Sequence, residues 1–268
     1  MDHSYENVKV SVLMGIYNCA DTLPQAIESV QNQTHRNFEL ILCDDGSRDN
    51  TYEVAKAYAE KDSRIVLLQN ETNITLGPTL NRCLSVATGQ YCARMDGDDL
   101  SAPDRFEKQV RFLEEHSEFD CVGTFMQIYG TDKVRTVPEF PEIDRLAQGN
   151  PCCHASIMMR TAVYKELGGY STDPKLARIE DVDLFWRFYL AGHKAANILE
   201  PLYIVRENPY TYRRRKAKFS INVSRYLLGR CKEAHLGGKS YLYCVKPVFI
   251  AFIPNRLMIA YHLKKDSQ

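Results

Sequence analysis

Three groups of acidic residues have the types and spacing needed to bind a cation or to move a proton. Asp44 and Asp45 are adjacent, residues 96–99 read Asp-Gly-Asp-Asp, and Glu180 and Asp181 precede an apolar stretch. Carboxylate oxygens suit Mg²⁺ and Mn²⁺, and a carboxylate placed near a hydroxyl can act as a general base. Each group also has a structural alternative: a solvated turn of capping aspartates at residues 96–99, and a helix N-terminus at Asp181.

The first hundred residues predict the elements that hold two of these groups. Apolar runs alternate with segments of helical periodicity, which predicts strand–helix units and a mostly parallel, doubly wound sheet. The predicted strands are residues 8–16, 38–43, 65–69 and 91–95, and the predicted helices are a segment with Pro24 in its first turn, residues 49–61, residues 78–87 and a segment opened by Pro103. Ligands bind such sheets at the carboxyl ends of the strands. Asp44, Asp45 and residues 96–99 follow predicted strands, so we expect them to meet at one edge of the sheet.

The periodicity is weaker after about Cys121. Residues 155–160 predict another strand, and residues 180–190 predict a helix with Trp186 on its apolar face. Asp181 then falls in the first turn of that helix, at the positive end of its dipole.

Composition and missing motifs limit the possible classes of protein. A chain of 268 residues with 44% hydrophobic content can form one large core with an appendage. Its polar beginning lacks a secretion-signal pattern, which predicts a cytosolic protein. There is no GxxxxGK[ST] loop, no GxGxxG after the first predicted strand and no calcium-hand spacing at residues 44–50. Nine cysteines without a CxxC pair predict reduced thiols, and the adjacent Cys152 and Cys153 beside His154 make a poor zinc set.

The six segments that carry chemistry or flank it occur in a recognisable order. They are VSVLMGIYN (residues 10–18), ILCDDGSRDNT (41–51), GQYCARMDGDD (89–99), APDRFEKQV (102–110), HASIMMR (154–160) and IEDVDLFWR (179–187). Together they resemble glycosyltransferase family 2. The resemblance implies an α/β GT-A fold, Rossmann-like, with a mostly parallel central sheet flanked by helices and a helical, basic C-terminal extension. The expected division is a catalytic domain at residues 1–205 and an extension at 206–268. Within the catalytic domain, residues 8–100 would bind a nucleotide sugar and residues 101–205 would face the acceptor.

The resemblance also implies roles for single residues on the donor side. Tyr17 would stack on the nucleobase, with Asn18 beside it, and Asp45 would bond a ring nitrogen of the base, with Asp44 adjacent. Asp96 and Asp98 would hold Mn²⁺ or Mg²⁺, with Asp98 the more direct ligand and Asp99 in support. Family frequency favours a UDP-sugar donor.

On the acceptor side, Asp181 would deprotonate a hydroxyl of a glycan or polyprenyl-linked saccharide, in a single displacement that inverts the anomeric centre. His154, Glu180 and Trp186 are possible acceptor-side residues. For His154, a core position is as compatible with the sequence as an acceptor-side position. For Trp186, a core position is favoured. Arg105 is either a partner of a phosphate or of the acidic loop, or a helix-surface arginine, and we favour the helix surface.

Two other functions are compatible with the same architecture. A nucleotidyltransferase that makes sugar nucleotides needs a Gly- and Arg-rich loop after the first strand, and residues 15–18 lack one. A non-catalytic nucleotide-sugar binder is disfavoured by the presence of Asp45, Asp98 and Asp181.

The chain is neutral overall, but its charge is unevenly distributed. Residues 201–268 hold 14 Lys and Arg against 3 Asp and Glu, including a basic run at residues 213–218. Residues 241–263 are apolar but interrupted by Pro and Lys, which predicts an interfacial segment better than a membrane span. We therefore expect a peripheral protein on the cytoplasmic leaflet with an anionic lipid surface as partner, and no nucleic-acid partner. Alternatively the extension completes the core or an oligomer interface.

Overall fold

A computed structural model describes residues 5–207 and 217–252. The chain divides into two compact units. Unit 1 comprises Met1–Glu142 and Asn150–Arg206, and unit 2 comprises Ile143–Gly149 and Glu207–Gln268.

The first part of unit 1 is a run of four parallel strands joined by helices. In chain order the elements are β1 (Val10–Ile16), α1 (Leu23–Gln31), β2 (Phe38–Asp44), α2 (Thr51–Ala59), β3 (Ile65–Gln69), α3 (Leu76–Val86) and β4 (Tyr91–Arg94). Every residue of β2 is buried, as its continuous apolar sequence predicts for a strand covered on both faces. The four predicted strands and the helices between them are confirmed, with bounds that differ by a few residues.

The second part of unit 1 is mixed in strand direction. Its elements are β5 (Leu100–Ser101), α4 (Arg105–Glu115), β6 (Cys121–Ile128), β7 (Val134–Arg135), β8 (Met158–Arg160), α5 (Thr161–Glu166), α6 (Glu180–Leu190) and β9 (Ala195–Val205). The sheet order is β3-β2-β1-β4-β8-β6-β9-β5, with β7 paired to β6. β8 runs antiparallel to both β4 and β6, whereas β6 and β9 are parallel. The parallel part of the sheet comprises β1 to β4 and the β6–β9 pair, and the sheet as a whole is mixed.

One predicted strand is shorter than expected. Residues 154–156 form a 3-10 turn, His154–Ser156, and only Met158–Arg160 pair in the sheet. The predicted helix at residues 180–190 is confirmed as α6.

Unit 2 contains a pair of helices and a short 3-10 turn. The helices are α7 (Ala217–Glu233) and α8 (Gly238–Ala251), and the turn is Ile143–Ala147, which packs against α8. The thiols of Cys231 and Cys244 lie 3.1 Å apart where the two helices meet. No helix among residues 5–207 and 217–252 is long and apolar enough to cross a membrane. Most of the basic run at residues 213–218, and residues 253–263 of the predicted interfacial segment, lie outside the described residues.

Candidate active site

The loops that follow β1, β2 and β4 lie together at the carboxyl edge of the sheet and line two cavities. The first has a volume of about 430 Å³ and is lined by Tyr17, Asn18, Asp96 and Asp98, among others. The second, of about 410 Å³, is lined by Tyr17, Asp45, Arg178 and Glu180, among others. The two share Gly15, Tyr17 and Leu76, so they adjoin. The structure thus brings together most of the donor-side residues named from the sequence.

Tyr17 and Asn18 shape the loop after β1. Tyr17 is 43% exposed, so one face of its ring is available to a ligand. Asn18 has a φ of 48°, a left-handed conformation that Asn tolerates better than most residues. Its amide oxygen accepts a hydrogen bond from the Arg48 N–H at 2.8 Å, and its own N–H donates to the Ser47 hydroxyl at 3.0 Å. Asn18 therefore fixes the loops after β1 and β2 against each other.

The paired aspartates after β2 have different environments. Asp45 is 5% exposed and accepts hydrogen bonds from the Asn70 amide at 2.8 Å and from the N–H groups of Ile74 and Thr75 at 2.8 and 3.1 Å. A carboxylate has about four acceptor positions, so one is left for a ligand N–H. Asp44 is 1% exposed, accepts from the Ser47 N–H at 3.3 Å and lines neither cavity. Its contacts are those of a turn residue.

The acidic loop after β4 is held by a buried arginine and by the end of β9. Arg94 is 1% exposed and donates to Asp96 Oδ1 at 2.5 Å. Asp99 accepts from the Tyr203 hydroxyl at 2.9 Å and from the Arg206 N–H at 2.7 Å. Burial, with the charges of Asp96 and Asp98, raises the pKa of Asp99 to about 7. Asp99 therefore supports the loop from within the protein.

Asp98 is the exposed carboxylate of this loop. No side chain within residues 5–207 and 217–252 donates a hydrogen bond to it. Partial burial in the cavity wall raises the pKa of Asp98, and the charge of Asp96 raises it further. Its neighbour Gly97 passes so close to β1 that a Cβ there would lie 2.8 Å from Ile16 Cγ2. A cation next to Asp98 would relieve this repulsion between like charges.

The carboxylates of the acidic loop fit a metal ion whose remaining coordination positions are filled by a bound nucleotide. The described residues contain no cluster of three or more His, Cys, Asp or Glu side chains that could hold a metal ion. Asp98 is available and Asp96 shares one oxygen with Arg94. Mg²⁺ and Mn²⁺ typically take one or two carboxylates and fill the other positions with phosphate oxygens and water. The acidic loop therefore fits a nucleotide-bound cation better than a permanent structural ion.

Two arginines are buried although the sequence did not predict their burial. Arg105 is completely buried in α4, and the prediction of a helix-surface arginine is wrong. It donates to the Gln109 amide oxygen at 3.0 Å and to the Arg94 carbonyl at 2.9 Å, partners that burial requires. Arg94 is not among the residues predicted from the sequence, although an arginine inside the apolar strand YCARM indicates a buried ion pair.

Asp181 lies in the first turn of α6, and both of its carboxylate oxygens are bonded. Oδ1 accepts the Val182 N–H at 2.9 Å, and Oδ2 accepts the Asn150 amide at 2.6 Å. Glu180 lines the second cavity, and burial together with the Asp181 charge raises its pKa. Asn150 was missed from the sequence because nothing in its local pattern connects it with α6, 31 residues away.

The remaining acceptor-side candidates are structural in part. His154 Nε2 lies 2.9 Å from the Tyr170 hydroxyl, and burial lowers the pKa of His154 to about 4, so the ring is neutral near pH 7. Trp186 is completely buried in α6 and lines neither cavity. Trp186 is therefore a core residue, as its helical register also predicted, and not an acceptor-side residue.

Fold and site together define an α/β protein with an acidic ligand cleft at the carboxyl ends of its parallel strands. The chain belongs to glycosyl transferase family 2, whose family model matches residues 11–168. EpsE of Bacillus subtilis (strain 168), which carries a glycosyltransferase name, is 46% identical over 261 residues, covering 96% of this chain and 94% of that protein. The Escherichia coli protein WfaP, named as a UDP-Glc:alpha-D-GlcNAc-diphosphoundecaprenol beta-1,3-glucosyltransferase, is 31% identical over 58% of this chain and 62% of its own.

Solved structures agree on the architecture. TarS of S. aureus (residues 1–349) in complex with UDP-GlcNAc has a TM-score of 0.69 at 19% identity, covering 90% of this chain and 70% of that one. This chain covers 41% of the longer TarS chain. The mannosyltransferase PcManGT of Pyrobaculum calidifontis, with GDP-Man and Mn²⁺, has a TM-score of 0.62 at 18% identity, covering 94% and 72%. The expected GT-A fold and the family resemblance are both confirmed.

Proposed function

We propose that this chain is an inverting, divalent-metal-dependent glycosyltransferase of bacterial polysaccharide synthesis that transfers a sugar from a UDP-sugar to a hydroxyl of a lipid-linked saccharide. The observation that carries the proposal is the pair of adjoining cavities at the carboxyl edge of the sheet. Asp98 lines one and Glu180, next to Asp181, lines the other. A donor with its nucleobase near Asp45 in the second cavity would therefore bring its diphosphate to the acidic loop in the first, within a cleft bordered by the first turn of α6.

The nucleotide end of the donor would lie near Tyr17 and Asp45. The half-exposed Tyr17 ring offers a stacking face, and the remaining acceptor position of Asp45 suits the N–H of a uracil or guanine ring. TarS was solved with UDP-GlcNAc and WfaP is named for a UDP-sugar, which favours uracil.

The diphosphate would lie near Asp98 and Asp96. These two carboxylates would hold Mn²⁺ or Mg²⁺, which supplies charge neutralisation on the departing diphosphate when bound. Arg94 keeps one oxygen of Asp96 occupied and fixes the loop, so that Asp98 stays exposed in the cavity.

Asp181 would accept the proton of the attacking hydroxyl. Because one carboxylate acts as base and no second carboxylate is assigned as nucleophile, the transfer would be a single displacement with inversion. Position matters more than acidity here, since the pKa of a sugar hydroxyl is far above that of a carboxyl group. The two hydrogen bonds to Asp181 supply that positioning.

The donor and the stereochemistry can be tested together. UDP-, GDP- and dTDP-sugars are incubated with Mn²⁺ and GlcNAc-diphosphoundecaprenol, nucleotide release is measured, and the anomeric configuration of the product is read by NMR. We expect release from one UDP-sugar, loss of release with EDTA, and a product anomer opposite to that of the donor. Retention of configuration, or release unchanged in Asp181→Asn, would contradict the proposal.

The acceptor proposal includes a membrane surface for unit 2. Lys239, Leu242, Lys246 and Phe249 fall on one face of α8 by helical spacing, and Leu242 and Phe249 are 71% and 69% exposed. Exposed apolar side chains between lysines suit the headgroup region of an anionic bilayer.

Flotation with vesicles of phosphatidylcholine and phosphatidylglycerol tests this surface. Wild type should float with anionic vesicles and a Leu242→Asp/Phe249→Asp variant should not. Phe140→Asp/Leu199→Asp, which changes two exposed apolar residues of unit 1 and adds the same two negative charges, is the matched control and should float. Equal flotation of all three proteins would favour the alternative in which the extension completes the fold or an oligomer interface.

A further inference from the structure

Asn150 is placed beside the candidate base by a short hydrogen bond. Its amide nitrogen donates to Asp181 Oδ2 at 2.6 Å. Among the described residues no other side chain donates to that carboxylate, since Oδ1 accepts only the Val182 N–H. The orientation of Asp181 therefore depends on its own helix and on one residue from outside it.

The other end of the Asn150 side chain lacks a partner. Its amide oxygen is buried and accepts no hydrogen bond within residues 5–207 and 217–252. The amide orientation follows from Asp181, because an oxygen facing the carboxylate would be repelled whereas the N–H donates. A buried acceptor without a donor costs free energy, and the short bond from the amide N–H to Asp181 offsets that cost.

The segment that carries Asn150 is anchored on the sheet. Pro151 follows it, which restricts the Asn150 backbone to extended conformations. The Pro151 carbonyl accepts a hydrogen bond at 3.1 Å from Asn197, a β9 residue that is 2% exposed. The main chain that carries Asn150 is therefore fixed on the sheet.

We infer that Asn150 is a positioning residue of the transfer reaction: its amide N–H orients the Asp181 carboxylate for proton transfer from the attacking hydroxyl. The inference rests on the proposed function, because it needs Asp181 as the base. It goes beyond that function by assigning the orientation of the base to a residue outside the six sequence blocks.

The charged and titratable groups around Asp181 define what a change at Asn150 can do. Glu180 belongs to the same turn of α6, and His154 and Tyr170 interact electrostatically with Asp181. Asn150→Asp would set a second carboxylate about as close to Asp181 as the amide now is, and two such groups share a proton. The acidic limb of the pH–rate profile would then move to higher pH.

Steady-state kinetics with UDP-sugar, Mn²⁺ and GlcNAc-diphosphoundecaprenol separate this role from a purely structural one. Asn150→Ala should lower kcat by about 10- to 100-fold, part of the contribution of a positioned base. It should leave KM for the donor and for the acceptor unchanged, because Asn150 contacts the base and neither substrate. Asn150→Asp should show the shifted acidic limb, and Asn150→Gln should recover part of the rate. Gln148→Ala, at a nearby exposed position, should match wild type.

The outcomes distinguish failure of this inference from failure of the proposed function. Wild-type kinetics in Asn150→Ala while Asp98→Asn and Asp181→Asn are inactive would overturn the role of Asn150 alone. Activity in Asp181→Asn would overturn the proposed function first. A measurement independent of any acceptor is the double-mutant cycle of Asn150→Ala and Asp181→Asn in urea unfolding. Coupled midpoints are expected, and strictly additive midpoints would overturn the contact itself.

Discussion

Asparagine substitutions made separately at Asp96 and Asp98 should show that Asp96 stabilises the acidic loop whereas Asp98 binds the ligand. Arg94 is fully buried and its guanidinium donates to Asp96 at 2.5 Å. Asp98 receives no side-chain hydrogen bond from the described residues and faces the first cavity. Asp96→Asn therefore removes the charge opposite a buried cation, whereas Asp98→Asn removes no side-chain hydrogen bond among the described residues.

The magnitude follows from the exposure of the two partners. Removing one partner of a fully buried ion pair costs about 3–5 kcal/mol. The Asp96 side chain is 34% exposed, so solvent screens part of the interaction, and the amide oxygen of asparagine can still accept from Arg94. We expect Asp96→Asn to lower the free energy of unfolding by about 2 kcal/mol. Asp98→Asn should change it by no more than about 0.5 kcal/mol, as a surface substitution does.

Urea unfolding at pH 7 followed by tryptophan fluorescence measures these differences. Trp186 is the single tryptophan of the chain and is completely buried in unit 1, so its emission reports that unit. Binding of UDP with Mn²⁺ should be lost in Asp98→Asn although its stability is retained. A destabilised Asp98→Asn variant, or an Asp96→Asn variant as stable as wild type, would refute the division of roles.

Three further changes test other parts of the structure. Burial acts to raise the pKa of Glu39, but hydrogen bonds from Lys9, Ser11 and Thr88 outweigh it and lower the pKa to about 2. The folded state thus favours ionised Glu39, so the stability advantage of wild type over Glu39→Gln should be complete well above pH 4.5 and shrink as the pH falls from about 4.5 to about 2 in urea titrations. Gly89→Ala places a Cβ 2.6 Å from the backbone nitrogen of Ser11 and should cost about 1–3 kcal/mol in the same assay; a neutral effect would contradict the close approach of β4 to β1. Tyr17→Ala should weaken UDP binding by about 1–3 kcal/mol in calorimetry without loss of stability, and unchanged affinity would exclude stacking.

The sequence predicted the donor half well because its signals are local. A continuous apolar run marks a strand buried on both faces, and the aspartates that follow β2 and β4 must lie at the carboxyl edge once those strands are parallel. The bounds of α6 were also readable, because apolar periodicity begins after Glu180 and Gly192 follows its end.

The remainder depends on partners far apart in the chain. Burial of Arg105 is possible since the Arg94 carbonyl accepts a hydrogen bond from its guanidinium. Helical periodicity gives no information about such a partner. The antiparallel direction of β8 is set by its pairing with β4 and β6. Asn150 meets Asp181 only after the chain between them has folded, so its role could not be seen in either local sequence.

Calorimetry of UDP binding in the presence of Mn²⁺, combined with UDP-sugar turnover, tests the central claim most directly when wild type, Asp98→Asn and Asp181→Asn are compared. Wild type should bind and turn over. Asp98→Asn should lose metal-dependent binding, and Asp181→Asn should bind UDP as wild type does but fail to transfer. Metal-dependent binding retained in Asp98→Asn together with turnover retained in Asp181→Asn would contradict the assignment of cation site and base.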